Sequence, residues 1–569
     1  MLTALRALSN ITDAAALITP GSDGTNALAE TLFIPRYLEG FCGILASDST
    51  ADVVQEQKCL VASLISRLCK ETHHQNAIAN AGILDALATI LASVVVARGE
   101  VIPGAEIVGQ SDGLAELIPD PAPLGTNLGL VLEAIAAIIA DSRFRAYMLL
   151  CSPAIMAVFP STDFAAPARE TKAAWNALEM SGLRSIQAKN PGAMDYLLPL
   201  VPVKQPKTIS TPFPTLAYSM SRENLTATGR FAPGKFTGFN TAKLDLGNSN
   251  GEADGDEPES PLIPWLIHLA RQTSGYERIM ASSVVASLFK AGFANPEREV
   301  ALGFLIVPLL CRLIKEHDNE TPSGALVSNF VDPATAMDWA ILERTPVVLA
   351  RLIADSEFLQ QAAYECGAMK LVCKLLKNSY EPLTSQTAAR PWSPNPDRGM
   401  DQSEGFSGCR LGPPGQLPIY AHRIAMRESS LKLIAALVTF KNDYRQELVE
   451  QEVVPYIVES LAPSPGKPKL TREKPRPIPG RMEEQEITPP PGDPAYGKNP
   501  NSVVIAACHV LRMLGRSVAN LRTALEDHGV AMPIFRLLKH PDAEVQIAAC
   551  GTVCNLVTEF SPMREVSFI

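Results

Sequence analysis

Cys508, Cys550 and Cys554 lie close together in this chain with His509 and His540 near them, and thiolates beside imidazoles are the donors of zinc sites and of thiol redox chemistry. A structural zinc site needs four ligands at set spacing. Cys550 and Cys554 are four apart and share one helical face, yet no second cysteine pair and no His-x-x-x-His follows them. The cysteines belong instead to a duplicated string: Ile505-Ala506-Ala507-Cys508 recurs forty-two residues later as Ile547-Ala548-Ala549-Cys550. Alanines repeated together with a cysteine point to a repeated helix that packs through small residues, where a free thiol behaves as a small hydrophobe. His73 and His74, in CKETHHQNAIANAG, fall between two helical runs and read as solvated turn residues. Phosphate-loop, dinucleotide-binding and zincin motifs are absent, so no metal, cofactor or catalytic residue is expected.

The elements that carry these residues repeat. When ANAGILDALATIL, YECGAMKLVCKLL and EDHGVAMPIFRLL are aligned on Gly82, Gly367 and Gly529, each glycine is followed at +8 and +9 by an apolar pair. The pairs are Ile90 and Leu91, Leu375 and Leu376, and Leu537 and Leu538. Upstream of each glycine runs an apolar helical stretch with an alanine near its middle, and glycine permits a sharp helix-helix turn because positive φ costs it little. After Leu538 the chain breaks at KHPDAEVQ, where Pro541 suits a first helical turn and Asp542 complements its dipole. A unit of helix, turn, helix, break and helix that closes in about forty-two residues has the period of armadillo and HEAT solenoids. The expected fold is therefore all-α: an armadillo/HEAT-like α-solenoid, a right-handed superhelix of eight or nine units.

Tracts rich in Pro, Gly, Ser and charge interrupt the units and bury too little apolar surface to offset their ordering entropy, so they read as disordered or surface insertions. The expected organisation is repeats at 1–98, a loop at 99–127, repeats at 128–202 and an insertion at 203–261. Central repeats follow at 262–378, then a disordered loop at 379–422, a repeat at 423–461, a Pro-rich insertion at 462–501 and C-terminal repeats at 502–569.

With 569 residues, 46% of them hydrophobic, the chain can bury an extended core, and a formal net charge of -10 gives no general attraction to nucleic acid or anionic lipid. Eleven cysteines, odd in number and mostly within apolar runs, suit reduced thiols in cytoplasm and nucleus. The opening MLTALRALSNITDAAALI reads as a helix, and LGLVLEAIAAIIA from Leu128 is broken by Glu133 and too short to cross a bilayer. A solenoid offers a groove lined by the third helix of each unit. The residues there near helix ends are Asn10, Arg67, Lys70, Arg351, Arg512, Arg516, Asn555 and Glu559, of which Asn10, Arg351, Arg512, Arg516, Asn555 and Glu559 are taken as the protein-binding groove.

ALRALSNIT at Ala4 and ACGTVCNLVTEFSPMRE at Ala549 resemble third helices of armadillo repeats, with Asn10 and Asn555 at that family's groove asparagine. The W-x-x-x-N ladder of importin-α is missing: Trp175 is followed at +4 by Glu179. CNLVTEFSPMRE at Cys554 and RTPVVLARLIADSEFLQQAAYECGAMKLVCKLL at Arg344 resemble the armadillo scaffold subunit of the GID/CTLH E3 ubiquitin ligase in its filamentous-fungal form. Only Asn555, Glu559 and Phe560 sit on a matched motif. The resemblance implies a non-catalytic adaptor that partners LisH/CTLH-type and RING-type subunits and a substrate receptor, with further repeats after E-F-S-P. The alternative is a general armadillo adaptor of vacuolar or transport type. The vacuolar family carries N-terminal acylation signals, and here Leu2 replaces the glycine that myristoylation needs.

Overall fold

The computed structural model describes residues 1–18, 23–102, 105, 117–160, 194–201, 259–317, 333–382, 418–468, 494–516, 525 and 527–557. These fall in one unit of the chain, residues 1–202 with 259–569; the second unit, Val203–Pro258, lies outside them. No strand occurs among the described residues.

After α1 (Leu2–Ile18) the helices come in sets. α2 (Asp23–Leu32), α3 (Pro35–Leu45) and α4 (Asp52–Leu68) form one unit, and α5 (Thr72–Asn80), α6 (Ile83–Arg98) and α7 (Leu128–Ile139) the next. α8 (Arg143–Leu150) and α9 (Pro153–Val158) lead, past an interruption, to α10 (Leu262–Gln272) and α11 (Gly275–Lys290). Then follow α12 (Arg298–Leu305), α13 (Val307–His317) and α14 (Pro333–Ile353), and α15 (Glu357–Glu365), α16 (Ala368–Asn378) and α17 (Pro418–Leu437). α18 (Asn442–Glu450), α19 (Val454–Ser460) and α20 (Asn501–Leu514) make a further unit, and α21 (Ala531–Leu537) with α22 (Ala543–Leu556) ends the described series. The last helix of each unit packs on the last helix of the next, so α1, α4, α7, α11, α14, α17, α20 and α22 form a continuous ladder.

Local sequence explains the joints. Gly82, Gly367 and Gly529 hold φ of 78°, 78° and 70°, the left-handed region in which a Cβ is strained; the first two each turn a first helix into a second, and Gly529 leads into α21. At the corresponding place between α18 and α19 the residue is Glu452, which holds φ 52° without glycine's freedom. The string Ala-Asp-Ser recurs after α7 and after α14. Ser142 accepts from the Arg145 amide and Ser356 from the Leu359 amide, capping α8 and α15. Buried Arg145 and Arg445 each send Nε back seven residues, to the carbonyls of Ile138 (2.6 Å) and Val438 (2.8 Å), and so satisfy the end of the preceding ladder helix.

The duplicated Ile-Ala-Ala-Cys strings occupy two neighbouring ladder helices, α20 and α22. Ala506, Ala507, Ala548 and Ala549 are all buried where these helices meet. Their cysteines differ, because Cys508 is buried and Cys550 is exposed. Asp542 is the cap of α22, accepting from the Glu544 amide at 2.8 Å, one position before the first turn assigned to it from sequence.

Most of the insertions expected at 203–261, 379–422 and 462–501 lie outside the described residues, but described margins of the last two pack against the stack. α17 begins at Pro418, inside the loop expected to reach residue 422, because Ile419 and His422 find buried places beside the preceding unit. Asn499 donates its amide to the Pro463 carbonyl at 2.8 Å, closing the ends of the Pro-rich tract on each other. No single described helix is long and apolar enough to cross a membrane; α5 and α6 together are, but they bend by 69°.

Candidate functional site on the ladder face

Four successive ladder helices contribute to a cavity of about 210 Å³. Ser66 comes from α4, Glu133 and Ala137 from α7, Ser283 from α11, and Arg344 and Arg351 from α14. Arg344 and Arg351 are seven apart, two helical turns, which puts both guanidinium groups on one face of α14.

Glu133 is the single acid in an apolar run, and burial leaves it 5% exposed. Arg344 Nη2 reaches its Oε1 at 2.5 Å, and the Tyr276 hydroxyl donates to the same carboxylate. Gly129, one turn before Glu133, gives Tyr276 its room, since a Cβ there would lie 3.0 Å from Tyr276 Cδ1. Burial pushes the Tyr276 hydroxyl above its ordinary pKa, and Glu133 adds to that rise. Burial pulls the Arg344 guanidinium downward, but Glu133, Tyr276 and Glu343 outweigh it and hold the group above its usual value. Farther along α14, Arg351 donates to Ser287 Oγ and to Asp141 Oδ1, both at 3.1 Å. Two partly exposed guanidinium groups keep N–H donors beyond those spent on Glu133, Asp141 and Ser287, suited to the carbonyl and carboxylate acceptors of an extended peptide.

The structure separates the residues named from sequence. Arg351 borders this cavity. Asn10 is exposed on α1, and Arg67 pairs with Asp13 and reaches Ser9 Oγ at 3.5 Å. Lys70 is exposed just after α4. Arg512 and Asn555 are bound to each other's helices: Asn555 Nδ2 donates to the Arg512 carbonyl at 2.8 Å, while the Arg512 guanidinium lies against Gly551. Arg516 is exposed at the end of α20. Glu559 and Phe560 lie outside the described residues, as does Trp175. Glu133 and Arg344 were missed; a lone acid in an apolar helix and an arginine pair at i, i+7 were the signals that could have found them.

The reading of His73 and His74 as solvated turn residues holds for the exposure of His73 and is corrected for their helical setting and for the burial of His74. They occupy the first turn of α5, and the His74 side chain is only 3% exposed, packed edge-on against Phe33 at 5.3 Å. Sequence reading also passed over Gly247-Asn248-Ser249-Asn250-Gly251, which has the G-x-S-x-G spacing of a hydrolase nucleophile turn. No apolar strand-like run precedes it, and it lies outside the described residues.

No family model matches the chain. It is 27% identical over 312 residues to GID complex subunit 5 of Schizosaccharomyces pombe, covering 55% of this chain and 30% of that protein. It is 30% identical over 145 residues to armadillo repeat-containing protein 8 of Danio rerio, covering 25% of this chain and 16% of that protein. The chain thus spans less than a third of the length of these curated relatives. A designed armadillo repeat protein is 14% identical, covers 52% of this chain and 82% of its own, and superposes with a TM-score of 0.29, too low to carry an argument. The triplet-helix ladder and the residues matched with the two curated proteins together make this chain similar to the armadillo-repeat subunit of the GID complex.

Proposed function

We propose that this chain is a non-catalytic armadillo scaffold of a GID/CTLH-type E3 ubiquitin ligase, one that holds a substrate receptor for ubiquitin-dependent degradation of target proteins. The observation that carries this reading is the similarity to GID complex subunit 5 across 312 residues. The ladder face around Arg344 and Arg351 supports it physically, because guanidinium donors on an open face of packed helices can hold an extended chain without a focused reaction centre. In this reading the receptor's tail lies along that face, and LisH/CTLH-type and RING-type subunits dock elsewhere on the helices. The scaffold works in cytoplasm and nucleus, without nucleic acid or membrane as partner, in keeping with a net charge of -10.

Affinity capture of the tagged full chain from its source cells, followed by mass spectrometry, tests the proposal. Recovery of RING-type and LisH/CTLH-type subunits is the expected result. Their reproducible absence, with cargo carrying basic signals or vacuolar membrane proteins in their place, refutes it.

A further inference from the structure

Away from the ladder face, α2 and the first turn of α5 bring together Glu30, His73 and His74, whose ligand atoms all lie within 4.8 Å of one another. His73 Nε2 lies 2.8 Å from Glu30 Oε1, and His74 Nε2 lies 3.3 Å from the same oxygen. His73 and Glu30 open to solvent, with side chains 60% and 61% exposed, whereas His74 is 3% exposed. His74 Nδ1 has no hydrogen-bond partner, and Nε2 faces only the Glu30 carboxylate, outside good hydrogen-bond geometry. Asn26 Oδ1, one helical turn before Glu30 on α2, is also buried and without a donor. A buried imidazole without a good hydrogen bond is costly, and such a group calls for a partner.

We propose that Glu30, His73 and His74 form a binding site for a tetrahedral transition-metal dication of the zinc class, with water in the fourth position. Two imidazoles and one carboxylate are a recognised donor set for an open zinc site. Bonds of about 2.0–2.1 Å at tetrahedral angles separate neighbouring ligand atoms by about 3.3 Å, the spacing already present between His74 Nε2 and Glu30 Oε1. His73 Nε2 needs to withdraw only about half an ångström, and its exposed ring is free to do so. A bound ion ties the first helix of one unit to the first helix of the next.

The full chain, stripped with chelator, is incubated with zinc sulfate, gel-filtered and assayed for retained metal. Glu30→Gln and His73→Gln serve as controls because both positions are exposed and tolerate the change. Wild-type chain is expected to retain one more zinc per molecule than either variant, and to show a rise in Tm with zinc that both variants lose. Cobalt(II) substituted into the wild-type chain is expected to give the intense visible bands of a tetrahedral ion. Equal zinc retention in all three chains, no retention by wild type, or a weak octahedral cobalt spectrum overturns the proposal, leaving the three side chains as an ordinary hydrogen-bonded cluster.

Discussion

Asn555 Nδ2 donates to the main-chain carbonyl of Arg512 at 2.8 Å, so two residues singled out as groove contacts hold one ladder helix to the next. Three residues earlier Thr552 Oγ1 does the same for the Cys508 carbonyl at 2.9 Å. Asn555 thereby takes up one of the last four carbonyls of α20, and the buried alanines of the two helices let them approach closely. Asn555→Ala is expected to cost about 1 kcal/mol, a typical value for a lost hydrogen bond. Thermal denaturation reads the loss, and hydrogen exchange should locate it to the last turn of α20. An unchanged exchange pattern there would show that the bond contributes nothing.

Arg427 is fully buried. It donates to Asn499 Oδ1 at 3.0 Å and to the Ser379 carbonyl at 2.9 Å, with its guanidinium 4.0 Å above the Tyr380 ring. Burial holds its pKa below the usual arginine value. Arg427→Ala leaves a cavity and two polar groups unpaired, an expected loss of about 3 kcal/mol. Arg427→Lys keeps the charge but not the planar fork and should recover less than half of that. Urea denaturation of both variants checks the order; equal stability of lysine variant and wild type would mean that charge alone matters.

Glu452 occupies the left-handed turn that Gly82, Gly367 and Gly529 occupy elsewhere. Glu452→Gly is expected to stabilise the chain by about 1 kcal/mol, through relief of backbone strain less the entropy that glycine brings to the unfolded chain. The mirror change, Gly367→Ala, should destabilise by about 1 kcal/mol, since an added Cβ meets nothing within 4 Å and only φ is strained. Paired melting curves should move in opposite directions.

Cys366 and Cys311 share a thiol hydrogen bond, which lowers the pKa of exposed Cys366 and, together with burial, raises that of Cys311. A lowered pKa means more thiolate at neutral pH, hence faster alkylation that declines as pH falls through the shifted value. Cys366 should react with iodoacetamide several-fold faster at pH 7 than exposed Cys151, Cys550 and Cys554. Cys311→Ala should remove that advantage, as peptide mapping of partly labelled protein would reveal.

Arg351→Glu reverses the sign of one donor on the ladder face while breaking only a pair with exposed Asp141 and a bond to Ser287. On the proposed function, the expected effect is a tenfold or greater loss of affinity for the receptor tail, with less than about 1 kcal/mol lost in stability. Titration of a labelled tail peptide against both chains measures it. Unchanged affinity would move the binding site off this face.

Much of the framework was legible because helix period, turn glycine and small-residue seams are written within single units. Gly82, Gly367 and Gly529 could be aligned by eye, and the structure gives all three the left-handed φ that the alignment implied. The groove was harder to read. Asn10, Arg67 and Arg516 carry the right chemistry near helix ends, yet among the named residues that are described only Arg351 borders the cavity, beside Glu133 and Arg344.

The residues by themselves determined an all-helical repeat, for each apolar face and each turn depends on neighbours within a few positions in the chain. Tertiary structure alone decided which polar side chains are spent on packing and which remain at the surface. Arg427 meets Asn499 across 72 residues, Arg344 meets Glu133 between α14 and α7, and His74 meets Phe33 beneath α2. Burial and charge pairing depend on what the stack brings alongside, and no local pattern encodes a neighbour so distant in sequence.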